Sequence, residues 1–143
     1  MPRSQLKTVL FLANIAEEEA AKSLAKAQAE LLQAETNLEQ VKGYRCEYEQ
    51  NQTKSLESGL DSGRLQISRQ FMVQLDKLID HQTRMLDASY QLVDQRRDKW
   101  LKSRADKRGV EAVILARKRN VEVQDMKANQ RLLDDLFINR TRS

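Results

Sequence analysis

The amino-acid sequence predicts an all-α protein, a long antiparallel two-helix coiled-coil hairpin, from three observations. The chain of 143 residues contains only 1 Pro and 4 Gly, so little interrupts a helix and few turns are available. It is 32% charged and only 5% aromatic, and its Leu and Ala are spread among Gln, Glu, Lys and Arg, which is typical of coiled coils. Apolar residues also recur at heptad spacing. Sandwiches, barrels and doubly wound α/β folds are excluded because they need many turns, and the length predicts a single domain, 1–143.

The first predicted helix covers about residues 3–56 and follows one heptad frame. Leu dominates one core position and Ala the other, which gives an apolar seam along one side of the helix. Alanine leaves little bulk, so a partner helix can approach closely, and the helix needs that partner to be stable. Ten of fourteen core positions are apolar; the set is Leu10, Ala13, Glu17, Ala20, Leu24, Ala27, Leu31, Ala34, Leu38, Val41, Arg45, Tyr48, Gln52 and Ser55.

A single turn is predicted at residues 57–67, because 57–63 is the only dense cluster of turn residues. Ser68 is a plausible N-cap for the second helix, which is expected to run over about 68–137 with a frayed tail after it. The short connection makes the two helices antiparallel. Apolar pairs repeat along the second helix as Phe71-Met72, Leu78-Ile79, Met85-Leu86, Leu92-Val93 and Trp100-Leu101.

No constellation for catalysis is present, so the sequence predicts a binding protein and not an enzyme. His81 is the sole histidine and Cys46 the sole cysteine, which excludes an intrachain disulfide, a Cys-based metal site and any site built from several imidazoles. We expect His81 to be exposed on its helix and Cys46 to be a partly buried small residue. Phosphate loops and zinc-protease motifs are absent, and no cofactor is expected. No stretch approaches the ~20 apolar residues that a membrane span needs.

Positive charge is concentrated between residues 96 and 119, which hold ten Lys and Arg against three acids. This segment suits an acidic partner. A basic helix also neutralises phosphates, so a nucleic-acid-binding protein stays an alternative, although no stacking platform accompanies the charge. The candidate basic surface comprises Arg96, Arg97, Arg104, Lys107, Arg108, Arg117, Lys118 and Arg119.

Two stripes with identical helical spacing meet near the turn: Asn37, Val41, Tyr44 and Tyr48 on the first helix, and Phe71, Leu75, Leu78 and Gln82 on the second. They either pack against each other or form an interface, which tyrosine favours. A generic coiled-coil scaffold or homodimer, with Tyr44 and Phe71 in its core, is the corresponding alternative to a specific interface.

Near this turn the sequence contains Tyr44-x-x-x-Tyr48, Gly59-Leu60-x-Ser62 and Phe71-Met72-x-x-Leu75-Asp76-Lys77-x-Ile79. In these motifs the chain resembles the FliJ family of flagellar export proteins. A Leu/Ala-rich first helix and a late Leu133-Asp134-Asp135 followed by Arg140 extend the resemblance over nearly the whole chain.

The resemblance implies a cytoplasmic coiled coil of the bacterial flagellar type III export apparatus, peripheral to the inner membrane and similar to the central stalk of rotary ATPases. It implies three partners: the hexameric export ATPase, whose assembly and turnover it promotes, the cytoplasmic domain of the export-gate membrane protein, and export chaperones. No nucleic acid is then expected as a partner. Carried over by position, the gate-binding residues are Asn37, Val41, Tyr44, Tyr48, Phe71, Leu75, Leu78 and Gln82. The family pattern has Gln, Leu, Ala and His where this chain has Asn37, Val41, Leu78 and Gln82.

Overall fold

The computed structural model describes residues 3–59 and 62–142 and consists of two long helices. Helix α1 is Arg3–Glu57 and helix α2 is Ser62–Arg142. The described residues contain no strand, and the two helices pack against each other. The predicted all-α class is confirmed.

Contacts divide the chain into two compact units, Ala20–Trp100 and a second made of Met1–Glu19 with Leu101–Ser143. In the unit Ala20–Trp100, Ala27 packs with Val93 far from the turn, whereas Tyr48 contacts Phe71 close to it. Partner numbers therefore fall in α2 as they rise in α1, which is the antiparallel arrangement.

The heptad frame of α1 describes the packing correctly. All fourteen predicted core positions are buried or half-buried. In the unit Ala20–Trp100 the best-buried α1 members are Ala20, Leu24, Ala27 and Leu38. We call the contact line of that unit the seam. Its α2 positions, also all buried or half-buried, are Leu65, Ser68, Met72, Leu75, Ile79, Gln82, Leu86, Ser89, Val93, Arg96 and Trp100.

Helix α2 begins at Ser62, so the predicted N-cap at Ser68 is wrong, and the connection between the helices is shorter than the predicted turn over 57–67. The reason is that the seam continues back through Ser68 to Leu65, which are both half-buried against the end of α1. Packing of this first stretch keeps it helical although it contains Gly63. Leu60 and Asp61 of the predicted turn lie outside the described residues.

Helix α1 ends where glycine permits a left-handed backbone. Gly59 has a φ of 84°, and its N–H donates to the Leu56 carbonyl at 3.2 Å. The Ser58 hydroxyl donates to the carbonyls of Lys54 and Ser55, at 3.0 and 3.1 Å. These bonds satisfy carbonyls that the last turn of a helix leaves without partners.

In the unit of Met1–Glu19 with Leu101–Ser143, the packed part is short. Leu6 is buried, and Leu10, Val110 and Ile114 are half-buried. Every residue from 115 to 140 is exposed, since α2 is far longer than the α1 segment of this unit. Helix α2 is continuous through Gly109 and ends at Arg142, five residues beyond the predicted end at 137.

Candidate interaction surfaces

The eight residues of the two predicted stripes all lie in the unit Ala20–Trp100, near the turn. They fall into two kinds of position. Val41, Tyr48, Leu75 and Gln82 lie on the seam, and Leu75 is buried while the other three are half-buried. Asn37, Tyr44, Phe71 and Leu78 each come one residue before a seam position, and of these only Asn37 is half-buried.

This difference defines two sides of the seam. In each helix the seam positions form two series at seven-residue spacing: the first contains Leu38 in α1 and Met72 in α2, and the second contains Ala34 in α1 and Leu75 in α2. Residues that come one position before the first series lie along one side of the seam. Residues that come one position after the second series lie along the other side. A hydrogen bond from Tyr90 to Glu35 across the helices shows that the second group shares a side. We call the first side the apolar flank, Tyr44, Phe71, Leu78 and Met85, and the second the polar flank, Glu35, Glu49, Asp76 and Tyr90.

The apolar flank exposes large side chains that a solitary helix pair leaves uncovered. Tyr44 is 61% exposed, Phe71 48%, Leu78 40% and Met85 50%. Three of them recur every seven residues on α2 and so form one ridge along the flank. Contiguous exposed apolar side chains mark interaction surfaces more often than scattered ones do. Met85 was absent from the predicted set, although the same seven-residue spacing pointed to it.

Tyr48 anchors this flank to the seam. Its ring lies 4.7 Å from the ring of Phe71, centroid to centroid, at an interplanar angle of 50°. The Ser68 hydroxyl donates to the Tyr48 hydroxyl oxygen at 3.1 Å. Tilted aromatic pairs of this kind favour one relative orientation, so Tyr48 fixes where the exposed face of Phe71 points.

The polar flank is held by hydrogen bonds that the sequence did not reveal. Arg45, a seam residue, donates from Nε to Asp76 Oδ1 at 2.5 Å and from Nη1 to Glu49 Oε2 at 3.1 Å. The hydrogen bond and charge of Asp76 raise the pKa of Arg45 above its ordinary value. Tyr90 Oη donates to Glu35 Oε1 at 2.8 Å, and this bond to a carboxylate raises the Tyr90 pKa above its ordinary 10.0.

The predicted basic surface is only partly presented to solvent. Arg96 and Lys107 are half-buried, each within its own unit, whereas the other six members are exposed. Arg97 pairs weakly with Asp94, Nη1 to Oδ1 at 3.7 Å. The densest exposed group is the consecutive run 117–119.

The end of α2 carries large apolar side chains that are exposed. They are Leu132, Leu133, Leu136, Phe137 and Ile138. Successive residues of a helix point about 100° apart, so the first four share one face, whereas Ile138 lies between Asp134 and Asp135 on the other. Contiguous exposed apolar side chains of this kind mark an interaction surface.

No group of three potential metal-ligating side chains occurs in the part of the chain that the structure describes. Nor does any described helix combine the length and apolarity that crossing a membrane requires. His81 is exposed, as predicted, but Cys46 is also exposed, so its predicted partial burial is wrong.

The fold and surfaces define an all-α coiled-coil protein whose exposed features are apolar and charged helix faces. The family model described as "Flagellar FliJ protein" matches residues 2–142, nearly the whole chain. The chain therefore belongs to the FliJ family and is a component of flagellar protein export. No curated protein and no solved structure gave a significant match.

Proposed function

We propose that this chain is a non-enzymatic, cytoplasmic component of the flagellar type III export apparatus that links the hexameric export ATPase to the export gate. It binds the ATPase and promotes its assembly and turnover, and it contacts the cytoplasmic domain of the gate membrane protein and export chaperones. It acts at the cytoplasmic base of the flagellum without crossing the membrane. Family membership supports a role in flagellar export. The two separate exposed surfaces support separate contacts with the gate and with the ATPase.

The gate contact is assigned to the apolar flank with its seam neighbours. The observation that carries it is the exposure of Tyr44, Phe71 and Leu78 on one side of the helix pair. Aromatic residues at the centre of an interface contribute most of the binding energy when a partner excludes water from them. The residues beneath, Val41, Tyr48, Leu75 and Gln82, hold the exposed ones in place.

The ATPase contact is assigned to the far part of α2. The apolar end, residues 132–138, is suited to contact with an apolar surface inside a ring, because four of its large exposed side chains share one face. The basic run 117–119 precedes it on the same helix and suits acidic surfaces at the mouth of such a ring.

A titration of the purified export ATPase with this chain tests the assignment, with nucleotide turnover and ring formation as readouts. We expect the chain to raise both. The variant Leu132→Ser with Leu133→Ser and Leu136→Ser should abolish the stimulation, because it replaces three exposed apolar side chains with hydroxyls. The single substitution Met126→Ser, which changes an exposed apolar residue outside 132–138, is the control, and this variant should retain most of the stimulation.

The basic run is tested separately by charge reversal, Arg117→Glu, Lys118→Glu and Arg119→Glu. If the run meets acidic surfaces, stimulation falls and its salt dependence flattens. Unchanged stimulation would remove the basic run from the proposal and leave the apolar end in it.

A further inference from the structure

The seam alone does not specify how far α2 is displaced along α1. Ala27 packs with Val93 in the observed alignment. Large apolar residues repeat every seven positions on α2, and alanines repeat in the same way on α1. A shift by one heptad places Val93 opposite Ala34 and Trp100 opposite Ala27, which again pairs a large side chain with an alanine. Away from the turn the apolar contacts of the two alignments are therefore nearly equivalent, although the shift moves Leu65 and Ser68 beyond the end of α1.

Arg45 breaks this equivalence. It occupies a seam position between Val41 and Tyr48, and its guanidinium reaches out to Asp76 on the other helix. The α2 positions equivalent to Asp76, at seven-residue steps, are Arg69, Thr83, Tyr90 and Arg97. Asp76 is the one carboxylate in this series, so a heptad shift in either direction brings threonine or arginine beside Arg45. The guanidinium then loses its partner across the seam or meets a like charge.

We propose that Arg45 is a positioning residue, and that its ion pair with Asp76 selects the alignment of α1 and α2 near the turn. The alignment decides which α2 side chains stand beside Tyr44 on the apolar flank. In the observed alignment these are Phe71 and Leu78. After a shift that lengthens the turn they are Leu78 and Met85, and the contact of Tyr48 with Phe71 is lost.

A single polar residue in a coiled-coil core is known to fix alignment in this way, at some cost in stability. The role of the pair is therefore selection between alignments more than overall stability, since an exposed ion pair contributes little to the free energy of unfolding. The consequence for gate binding rests on the proposed function, whereas the alignment itself does not.

Engineered cysteine pairs read the alignment directly in the full chain. Cys46→Ser removes the only native cysteine. Ala27→Cys with Val93→Cys reports the observed alignment, and Ala34→Cys with Val93→Cys reports the shifted one. A disulfide needs Cα atoms within about 7 Å, and one heptad of helix is about 10 Å, so each pair responds to one alignment only.

We expect the first pair to oxidise and the second to stay reduced in the otherwise unchanged chain. Asp76→Asn should raise the cross-linked fraction of the second pair at least about threefold and lower that of the first. Glu49→Gln is the matched control, because Glu49 also pairs with Arg45 but lies on the same helix, 3.1 Å away, and cannot sense the alignment. It should leave both fractions unchanged.

The double substitution Arg45→Asp with Asp76→Arg forms the ion pair with its charges exchanged, so both cross-linked fractions should return to those of the otherwise unchanged chain. If Asp76→Asn had only damaged the packing, the double substitution would not restore them. The proposal is overturned if Asp76→Asn leaves both cross-linked fractions unchanged, or if Glu49→Gln shifts them equally.

Binding to the cytoplasmic domain of the gate protein adds a separate readout. Asp76→Asn should weaken binding several-fold, and oxidation of the 27/93 pair in that variant should restore it, because the disulfide enforces the observed alignment. If the unchanged chain does not bind the gate domain at all, the proposed function fails there, while the cross-linking result stands by itself.

Discussion

The two flanks of one seam differ in how their side chains are satisfied. On the polar flank, Asp76 and Glu49 hold Arg45, and Glu35 accepts a hydrogen bond from Tyr90, so the charged and polar groups already have partners within the chain. On the apolar flank, large side chains are about half exposed with nothing over them. The same backbone thus carries one side whose polar groups are paired within the chain and one side whose large apolar groups are exposed.

The contrast teaches where binding energy is available. Covering the apolar flank removes apolar area from water, which is favourable. Covering the polar flank would desolvate ion pairs that are already formed, which gains little.

Removing the aromatic rings of the apolar flank should have the largest effect. Tyr44→Ala with Phe71→Ala should weaken binding to the gate cytoplasmic domain at least about 30-fold, since truncating one central aromatic typically costs about 2 kcal/mol or more of binding free energy. Calorimetric titration measures the affinity, and circular dichroism checks that the helix content holds.

The matched control for that variant is Leu32→Ala with Val73→Ala, two apolar side chains that are at least as exposed but lie outside the apolar flank. Their affinity should stay within about twofold of the unchanged chain. An equal loss in both double variants would mean that exposed apolar area, rather than its position, drives binding.

The seam supports both flanks, so a cavity in it should weaken the whole pair. Leu38 is only 7% exposed, and Leu38→Ala should lower the free energy of unfolding by about 2–3 kcal/mol, the lower part of the usual range because a thin seam can close around the gap. Urea unfolding followed by circular dichroism measures this. Leu32→Ala, exposed on the same helix, should change it by less than about 0.5 kcal/mol.

Two glycines should show smaller effects of opposite sign, one in the turn that joins the helices and one inside α1. Gly59 has a φ of 84°, so Gly59→Ala should cost about 1 kcal/mol in the free energy of unfolding. Gly43 lies inside α1 with nothing within 4 Å of an added Cβ, so Gly43→Ala should stabilise by about 0.5–1 kcal/mol. Thermal unfolding of both variants is the measurement, and a loss of similar size at Gly43 would contradict the account of the turn.

The smallest effect is expected on the polar flank, where Tyr90→Phe removes the hydrogen bond to Glu35. Because the folded-state pKa of Tyr90 is raised above 10.0, the stabilisation from its hydroxyl is fully present below pH 10 and is lost as the pH rises through the raised pKa. The unfolding free energies of the two proteins should differ slightly at pH 8 and converge at higher pH. A difference that grows with pH would contradict this assignment, and gate binding should not change.

Much of the fold could be predicted because helix packing repeats with the heptad. Every position of the α1 frame from Leu10 to Ser55 is buried or half-buried, polar ones such as Arg45 included. The start of α2 could not be predicted, because serine is a preferred N-cap residue. Ser68 instead lies inside the helix, where its hydroxyl donates to the hydroxyl of Tyr48 on α1.

For the candidate site, the sequence could place residues in stripes near the turn, but it could not show which of them lie on the seam and which are exposed. Helical spacing put Tyr44 and Tyr48 in one stripe, yet Tyr48 lies on the seam and Tyr44 is exposed. That division depends on which residue of α2 stands opposite each residue of α1. The ion pair of Arg45 with Asp76 depends on the same alignment, and residues 31 positions apart in sequence give no sign of it.

Site-specific photo-crosslinking tests the central claim, one-sided recognition by the apolar flank, most directly. A benzophenone side chain is placed at position 44 on the apolar flank or at position 90 on the polar flank, two tyrosines that are both exposed in the same unit. With the gate cytoplasmic domain present, irradiation should give a cross-linked product from position 44 and none above background from position 90. Equal yields from the two positions, or product from position 90 alone, would contradict the account.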